Sequence, residues 1–224
     1  MQSDLFGTGE TPATESKSAS AFMPATNSLD ALREAARVCR GCDLYAHATQ
    51  TVFGVGPEDA RLMFVGEQPG DMEDRQGSPF VGPAGKLLRG ALSEAGIDPA
   101  LVYITNAVKH FKFIERGKQR IHASPKRIEI VSCTPWLEAE IRALQPTLVV
   151  ALGATAGQAL LGTKFRVTQS RGVLVRADFA ENVIATIHPS AILRADPSVR
   201  DEQHRAFVAD LKLVRETLER LLAA

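Results

Sequence analysis

The chain has 224 residues, 45% of them hydrophobic and 23% charged, which is the composition of a globular protein long enough to bury a core without disulfide staples. Twenty-six Lys and Arg balance 26 Asp and Glu, which excludes a globally basic nucleic-acid coat and leaves a local basic patch as the route to a polyanion. No apolar run reaches the roughly 18 residues of a membrane span, and the opening residues carry no basic stretch followed by an apolar one, so the expected location is cytoplasmic.

Residues 1–28 are rich in Ser, Thr, Ala, Gly and Pro and lack apolar periodicity, so a disordered tail is expected there. The folded unit is expected over residues 29–224, opening with a helix at Leu29. Four short apolar runs follow, at 62–65, 102–105, 148–152 and 183–187. None alternates with polar residues, which fits strands covered on both faces. Helical patterns lie between them. Residues 83–95 begin with Pro83 at a first helical position and stop at Gly96. Residues 128–144 are amphipathic, with Pro135 expected near a start or a kink. A short helix is expected over 154–161 and a long closing one over 198–222. The alternation predicts an α/β fold with a parallel sheet.

Chemically capable residues cluster after the strands. Gly66, Glu67, Gln68 and Asp71 follow the first, Asn106 and His110 the second, and His188-Pro189-Ser190 the fourth. Open parallel sheets bind ligands outside the carboxyl ends of their strands, which is where these residues fall.

The three cysteines include one C-x-x-C pair, Cys39 and Cys42, with Cys133 far along the chain. An odd count does not describe a disulfide framework and points to metal or redox use. No strand precedes the pair, which argues against thioredoxin-like chemistry. Cys133 and His110 could complete four ligands, suiting zinc or an iron–sulfur cluster, and ligand chemistry alone favours zinc. Between positions 109 and 127, Lys109, Lys112, Arg116, Lys118, Arg120, Lys126 and Arg127 face Glu115 alone, a local excess of +6. His110, Phe111, Phe113 and His122 interleave with them, a footprint suited to a polyanion with bases or sugars to touch.

Residues 66–74, Gly-Glu-Gln-Pro-Gly-Asp-Met-Glu-Asp, resemble the first motif of the iron–sulfur uracil-DNA glycosylases of the family 4 type. The run Gly-Ser-Pro-Phe-Val-Gly-Pro-Ala-Gly-Lys at 77–86 extends that likeness. Residues 103–109 resemble the uracil-reading strand end, and 188–190 the second glycosylase motif. The resemblance runs from about residue 30 to the C-terminus. Within the superfamily the chain is most similar to the UdgX branch, which links itself covalently to uracil-containing DNA. Gln68 stands where family 4 usually has Ala, His110 takes the place of the third cluster cysteine, and residues 118–122 look like the branch's inserted Lys-Arg-Arg-Ile-His loop, with Gln119 departing from it.

The resemblance implies a three-layer α/β/α sandwich around a four-stranded parallel sheet, with a basic loop inserted at 111–127. It implies a structural 4Fe-4S cluster on Cys39, Cys42, His110 and Cys133, displacing the preference for zinc. Phe80 would stack on the extruded base. Asn106 would donate to uracil O4 and accept from N3–H, a pattern that cytosine reverses. His188 would stabilise the uracil anion at O2. His122 would be the nucleophile that traps the sugar, oriented by Glu67. Gln68 and Asp71 are expected in the catalytic site, with Gly66 and Gln68 beside the base. Lys86, Lys118, Arg120 and Arg194 are expected to contact DNA or hold the loop. The implied partner is uracil-containing DNA, single-stranded by preference, met by a monomer. A conventional turnover glycosylase, a non-catalytic module that binds uracil or damaged DNA, and a zinc protein of unrelated hydrolase activity are the rival readings.

Overall fold

A computed structural model describes residues 18–224. In chain order the elements are α1 (Leu29–Ala36), β1 (Leu62–Gly66), α2 (Asp71–Gln76), α3 (Pro83–Glu94), β2 (Val102–Asn106), β3 (Phe113–Arg116), β4 (Gln119–His122), α4 (Arg127–Leu144), β5 (Leu148–Leu152), α5 (Gly153–Leu161), α6 (Val167–Ser170), β6 (Leu174–Ala177), β7 (Ala180–Thr186), α7 (Pro189–Leu193) and α8 (Pro197–Leu222). No helix among the described residues is long and apolar enough to cross a membrane.

The central sheet runs β2-β1-β5-β7-β6. β1 pairs in parallel with β2 and β5, and β5 pairs in parallel with β7. Successive β1 side chains enter opposite cores. Met63 and Val65 pack with Leu32, Trp136 and Ala156, while Leu62 and Phe64 pack with Leu88, Phe207 and Leu211. Both faces are therefore covered, which is why the strands are apolar throughout rather than alternating. Each fully buried Leu or Phe contributes about 1.5–3 kcal/mol to that packing.

The sheet corrects the expectation of four parallel strands. A fifth strand, β6, pairs antiparallel with β7 at the edge. Its residues Leu174 and Arg176 are exposed, so it lacks the continuous apolar run that marks the buried strands. The expected basic loop also contains structure, an antiparallel hairpin of β3 and β4 closed by Gly117 and Lys118. Gly117 has φ 61°, the backbone that a two-residue hairpin turn requires.

Packed chain begins before the expected start at Leu29. Ala19–Phe22 forms a 3-10 turn, and Ala19 is buried in the core. A Cβ at Gly41, between the two cysteines of the C-x-x-C pair, would come within 2.5 Å of the Ala19 nitrogen, so that glycine permits the close approach. The expectation of a disordered tail is thus corrected for this turn, and residues 1–17 lie outside the described residues. Pro135 lies inside α4 rather than at its start, leaving the Val131 carbonyl without its usual helical donor.

Candidate active site

A cavity of about 920 Å³ opens at the carboxyl ends of the central strands. Glu67, Gln68 and Asp71 border it after β1, Asn106 after β2, and His188 and Arg194 after β7. His122 on β4 and Phe80 before α3 border the same space. Gly66, Lys86, Lys118 and Arg120 do not line it. Gly66 sits directly behind, where a Cβ would lie 2.3 Å from Asn106 Oδ1 and 2.6 Å from the Phe80 ring. Lys86 and Lys118 are exposed, on α3 and at the hairpin turn.

Glu67 Oε2 accepts a hydrogen bond from Thr155 Oγ1 at 2.7 Å, which fixes the carboxylate from α5. Its Oε1 is buried without a hydrogen-bond partner and faces His122 Nε2 at 3.7 Å. Burial holds His122 below its ordinary pKa of 6.5, Arg194 adds to that, and Glu67 opposes it.

The hairpin carrying His122 is pinned in two ways. Gln68 Nε2 donates to the carbonyls of Lys112 and Ala123, both at 3.1 Å, and its Oε1 accepts from the Lys112 N–H at 3.1 Å. Both legs of the hairpin hang on this one amide. Gln68, expected beside the base, borders the cavity while both of these amide donor contacts and one lone pair of its oxygen serve the hairpin. Arg120 supplies the second pin. Its Nε donates to Asp71 Oδ1 at 2.5 Å and its Nη1 to Asp74 Oδ2 at 2.7 Å, while the guanidinium lies 5.0 Å from the Phe113 ring centre. Hydrogen bonds from Arg75 and then Arg120 hold the Asp71 carboxyl below its usual range.

His188 caps α7, its Nδ1 accepting the Ser190 backbone N–H at 3.1 Å. A backbone amide can only donate, so the neutral ring carries its proton on Nε2. Burial brings the His188 pKa down to about 4, with Arg194 and His122 adding to the shift, so the ring is neutral at pH 7. Its centre lies 5.8 Å from that of Phe80. Phe80 has φ 56°, a left-handed backbone that an aromatic residue rarely adopts. Arg89 Nη1 donates to the Phe80 carbonyl at 2.9 Å, and a Cβ at Gly85 would fall 1.6 Å from that oxygen.

Two groups of supporting residues lie outside the sequence expectations. Glu73 accepts the N–H of Gly82 at 2.8 Å and of Gly70 at 3.1 Å, tying together the two loops that frame the cavity. Its position three residues after the Gly70 cap was the available signal. The second group is wholly buried. Lys109 Nζ donates to Glu140 Oε2, to Thr105 Oγ1 at 2.7 Å and to the Asn106 carbonyl at 2.8 Å. Glu140 Oε1 accepts from Tyr103 Oη, Thr105 Oγ1 and the Gly54 N–H, each at 3.0 Å. Asn106 is thus held from beneath by an ion pair that solvent does not reach.

This pairing changes the reading of the basic segment. Lys109 is buried with Glu140, Lys112 pairs with Glu129 at 2.9 Å, and Arg120 is held by Asp71 and Asp74. Four of the seven cations, Arg116, Lys118, Lys126 and Arg127, remain exposed.

Cys39, Cys42, His110 and Cys133 are all buried. Among the described residues, no group of three or more His, Cys, Asp or Glu side chains is placed to hold a single metal ion. A cluster binds one ligand per iron, so its ligands stand further apart. N–H donors are aimed at the sulfurs, as thiolate ligands require. Trp136 Nε1 donates to Cys39 Sγ at 3.2 Å, and the Lys109 N–H to Cys133 Sγ at 3.3 Å. As a free thiol Cys133 is pushed up to about 12 by burial, and burial also raises Cys42, so these sulfurs need positive charge nearby to ionise. The donor set fits an iron–sulfur cluster.

Residues 53–212 match the model of the uracil DNA glycosylase superfamily. The chain belongs to that superfamily. It is 35% identical to the type-4 uracil-DNA glycosylase of Thermotoga maritima, over 86% of this chain and 95% of that one. It is 36% identical to the type-4 enzyme of Archaeoglobus fulgidus, over 80% of this chain and 90% of that one. It is 31% identical to the type-5 uracil-DNA glycosylase of Mycobacterium leprae, over 62% and 67% respectively.

Proposed function

We propose that the protein excises uracil from DNA and retains the resulting sugar as a covalent adduct on His122. The observation that carries this reading is the facing pair of His122 Nε2 and Glu67 Oε1, 3.7 Å apart in the cavity that also holds Asn106 and His188. Membership of the superfamily and the type-4 relatives support the excision step.

The base leaves the stack and enters against Phe80. The Asn106 amide donates to O4 and accepts from N3–H, excluding cytosine. The N1–C1′ bond breaks and its electron pair departs with uracil, whose O2 accepts the Nε2–H of neutral His188. The Nε2 lone pair of neutral His122 then forms the bond to C1′. The Glu67 carboxylate balances the charge on the ring until its Nδ1 proton passes to solvent. Gln68, Asp71 and Arg120 act by holding the hairpin. The exposed Lys86, Lys118 and Arg194 contact the DNA backbone.

A 4Fe-4S cluster on Cys39, Cys42, His110 and Cys133 would supply structural cross-linking and no step of the reaction. Single strands are preferred, because their bases are already unstacked and cost less to extrude. The enzyme acts as a monomer, with the hairpin segment 111–127 as its DNA-facing insertion.

The test is to mix the protein with a uracil-containing single strand and denature it in hot detergent. A surviving protein–DNA band that requires uracil is the expected result. Free uracil and abasic strand released over many turnovers, with no band, would make the protein a conventional glycosylase.

Two further results follow from the site's electrostatics. The nucleophile works in its neutral form, and burial lowers its pKa, so neutral ring persists until pH drops through that lowered value. Adduct formation is therefore expected to be flat around pH 7–8 and to fall on acidification with a midpoint below 6.5. A midpoint above that value would contradict the assignment. The four exposed cations together with Lys86 and Arg194 predict a log–log salt slope of about −4 on single strands, against about −6 if all seven basic residues of the segment met phosphate along with those two. Titrating binding against salt distinguishes the two.

A further inference from the structure

Thr51 lies in the loop after the C-x-x-C pair, and its hydroxyl stands between two groups of the thiol-rich region. Thr51 Oγ1 is 2.8 Å from the Ala36 carbonyl oxygen and 3.0 Å from His110 Nε2. Two oxygens at that separation need a proton between them, and the carbonyl has none to give. The single hydroxyl proton of Thr51 therefore points at Ala36, and the hydroxyl oxygen can only accept from His110. Nε2 of His110 must then carry the ring proton, which leaves the lone pair of the neutral imidazole on Nδ1.

The arrangement is anchored on both sides. The Ala36 carbonyl that takes the Thr51 proton also accepts the Cys39 N–H at 3.1 Å, so one oxygen ties Thr51 to the first cysteine. The next residue, Val52, donates its N–H to the Lys109 carbonyl at 2.8 Å, which locks the Thr51 loop against the segment bearing His110. His110 is itself buried. Ligating histidines commonly hold their second ring nitrogen in such a hydrogen bond, which fixes both tautomer and ring orientation.

We infer that Thr51 is a positioning residue of the cluster site, presenting His110 to iron through Nδ1. This rests on the proposal that Cys39, Cys42, His110 and Cys133 hold a 4Fe-4S cluster. Thr51 does not touch the iron or the DNA; it acts through the orientation of one ligand. Threonine does here what the fourth cysteine of an all-thiolate site has no need of, since a sulfur has no tautomer to fix.

The experiment compares full-length wild type, Thr51→Val, Thr51→Ser and Cys39→Ala. Iron and acid-labile sulfide per chain are measured first, then the bleaching of visible absorbance under an iron chelator. Wild type and Thr51→Ser are expected to hold the cluster alike, while Thr51→Val, which keeps the shape and loses the acceptor, bleaches about tenfold faster or more. A second measurement needs no variant. Wild type grown with histidine labelled with nitrogen-15 at the δ position is reduced and examined by pulsed electron paramagnetic resonance. Strong coupling to the labelled nitrogen is expected. Coupling to the ε nitrogen instead, or wild-type bleaching in Thr51→Val, would overturn the inference while leaving the cluster intact. Absence of iron and sulfide from wild type would overturn the cluster reading and this one with it.

Discussion

His122→Ala is expected to abolish the detergent-resistant protein–DNA band and to convert the protein to repeated release of uracil. In the proposed mechanism the imidazole supplies the nitrogen of the covalent bond, so no adduct forms without it. The groups proposed to read the base and stabilise the anion, Asn106, Phe80 and His188, belong to other segments and are untouched. Removing the ring opens space beside Glu67 Oε1, which has no hydrogen-bond partner. Water entering that space meets a carboxylate able to orient it toward C1′. The measurement is uracil released per protein chain with excess oligonucleotide. Wild type should stop at about one per chain, because the trapped sugar blocks the site. His122→Ala should pass that limit. A band that survives the substitution would sink the assignment of His122.

The largest effect on stability is expected at Glu140. Glu140→Ala leaves the Lys109 ammonium buried and without its counter-charge, and also strands the donors of Tyr103 and Gly54. Breaking a buried pair on one side costs about 3–5 kcal/mol. For a chain of this size, about 2–4 °C of melting temperature accompanies each kcal/mol, so a fall of about 6–20 °C is expected in a thermal melt. Glu140→Gln keeps the shape and some hydrogen bonds and should lie between the two. A melting temperature unchanged in Glu140→Ala would show that the ion pair does not support the fold. Because Lys109 Nζ also donates to the Asn106 carbonyl, the surviving folded fraction should bind uracil-containing DNA less tightly.

Much of this site was legible in the sequence because its residues stand where strands end. Uniform apolar runs mark strands covered on both faces, and the polar residue that breaks each run marks the mouth of the sheet. Glu67, Asn106 and His188 were found that way, and all three border the cavity. Charge was a poorer guide. Lys109 counts as a cation in composition, yet it sits fully buried under Asn106, with an acid that is 31 positions away in sequence. Nothing local announces such a partner. Gln68 shows the same limit, since its amide closes the hairpin across 44 and 55 positions of sequence. The hairpin itself was hidden because its strands are four residues long and mostly exposed, and strand β6 because an exposed edge needs no apolar run.

The left-handed backbone of Phe80 reaches further than one residue. A non-glycine residue there carries strain of about 1–3 kcal/mol that only its surroundings can hold. Those surroundings are the Arg89 guanidinium and the bare Cα of Gly85. Neither residue borders the cavity, yet neither can drift freely in sequence without releasing the ring. Tolerance to substitution along α3 is therefore set by the placement of the Phe80 ring as well as by packing. The hereditary footprint of the site extends beyond the surface that a nucleotide would touch.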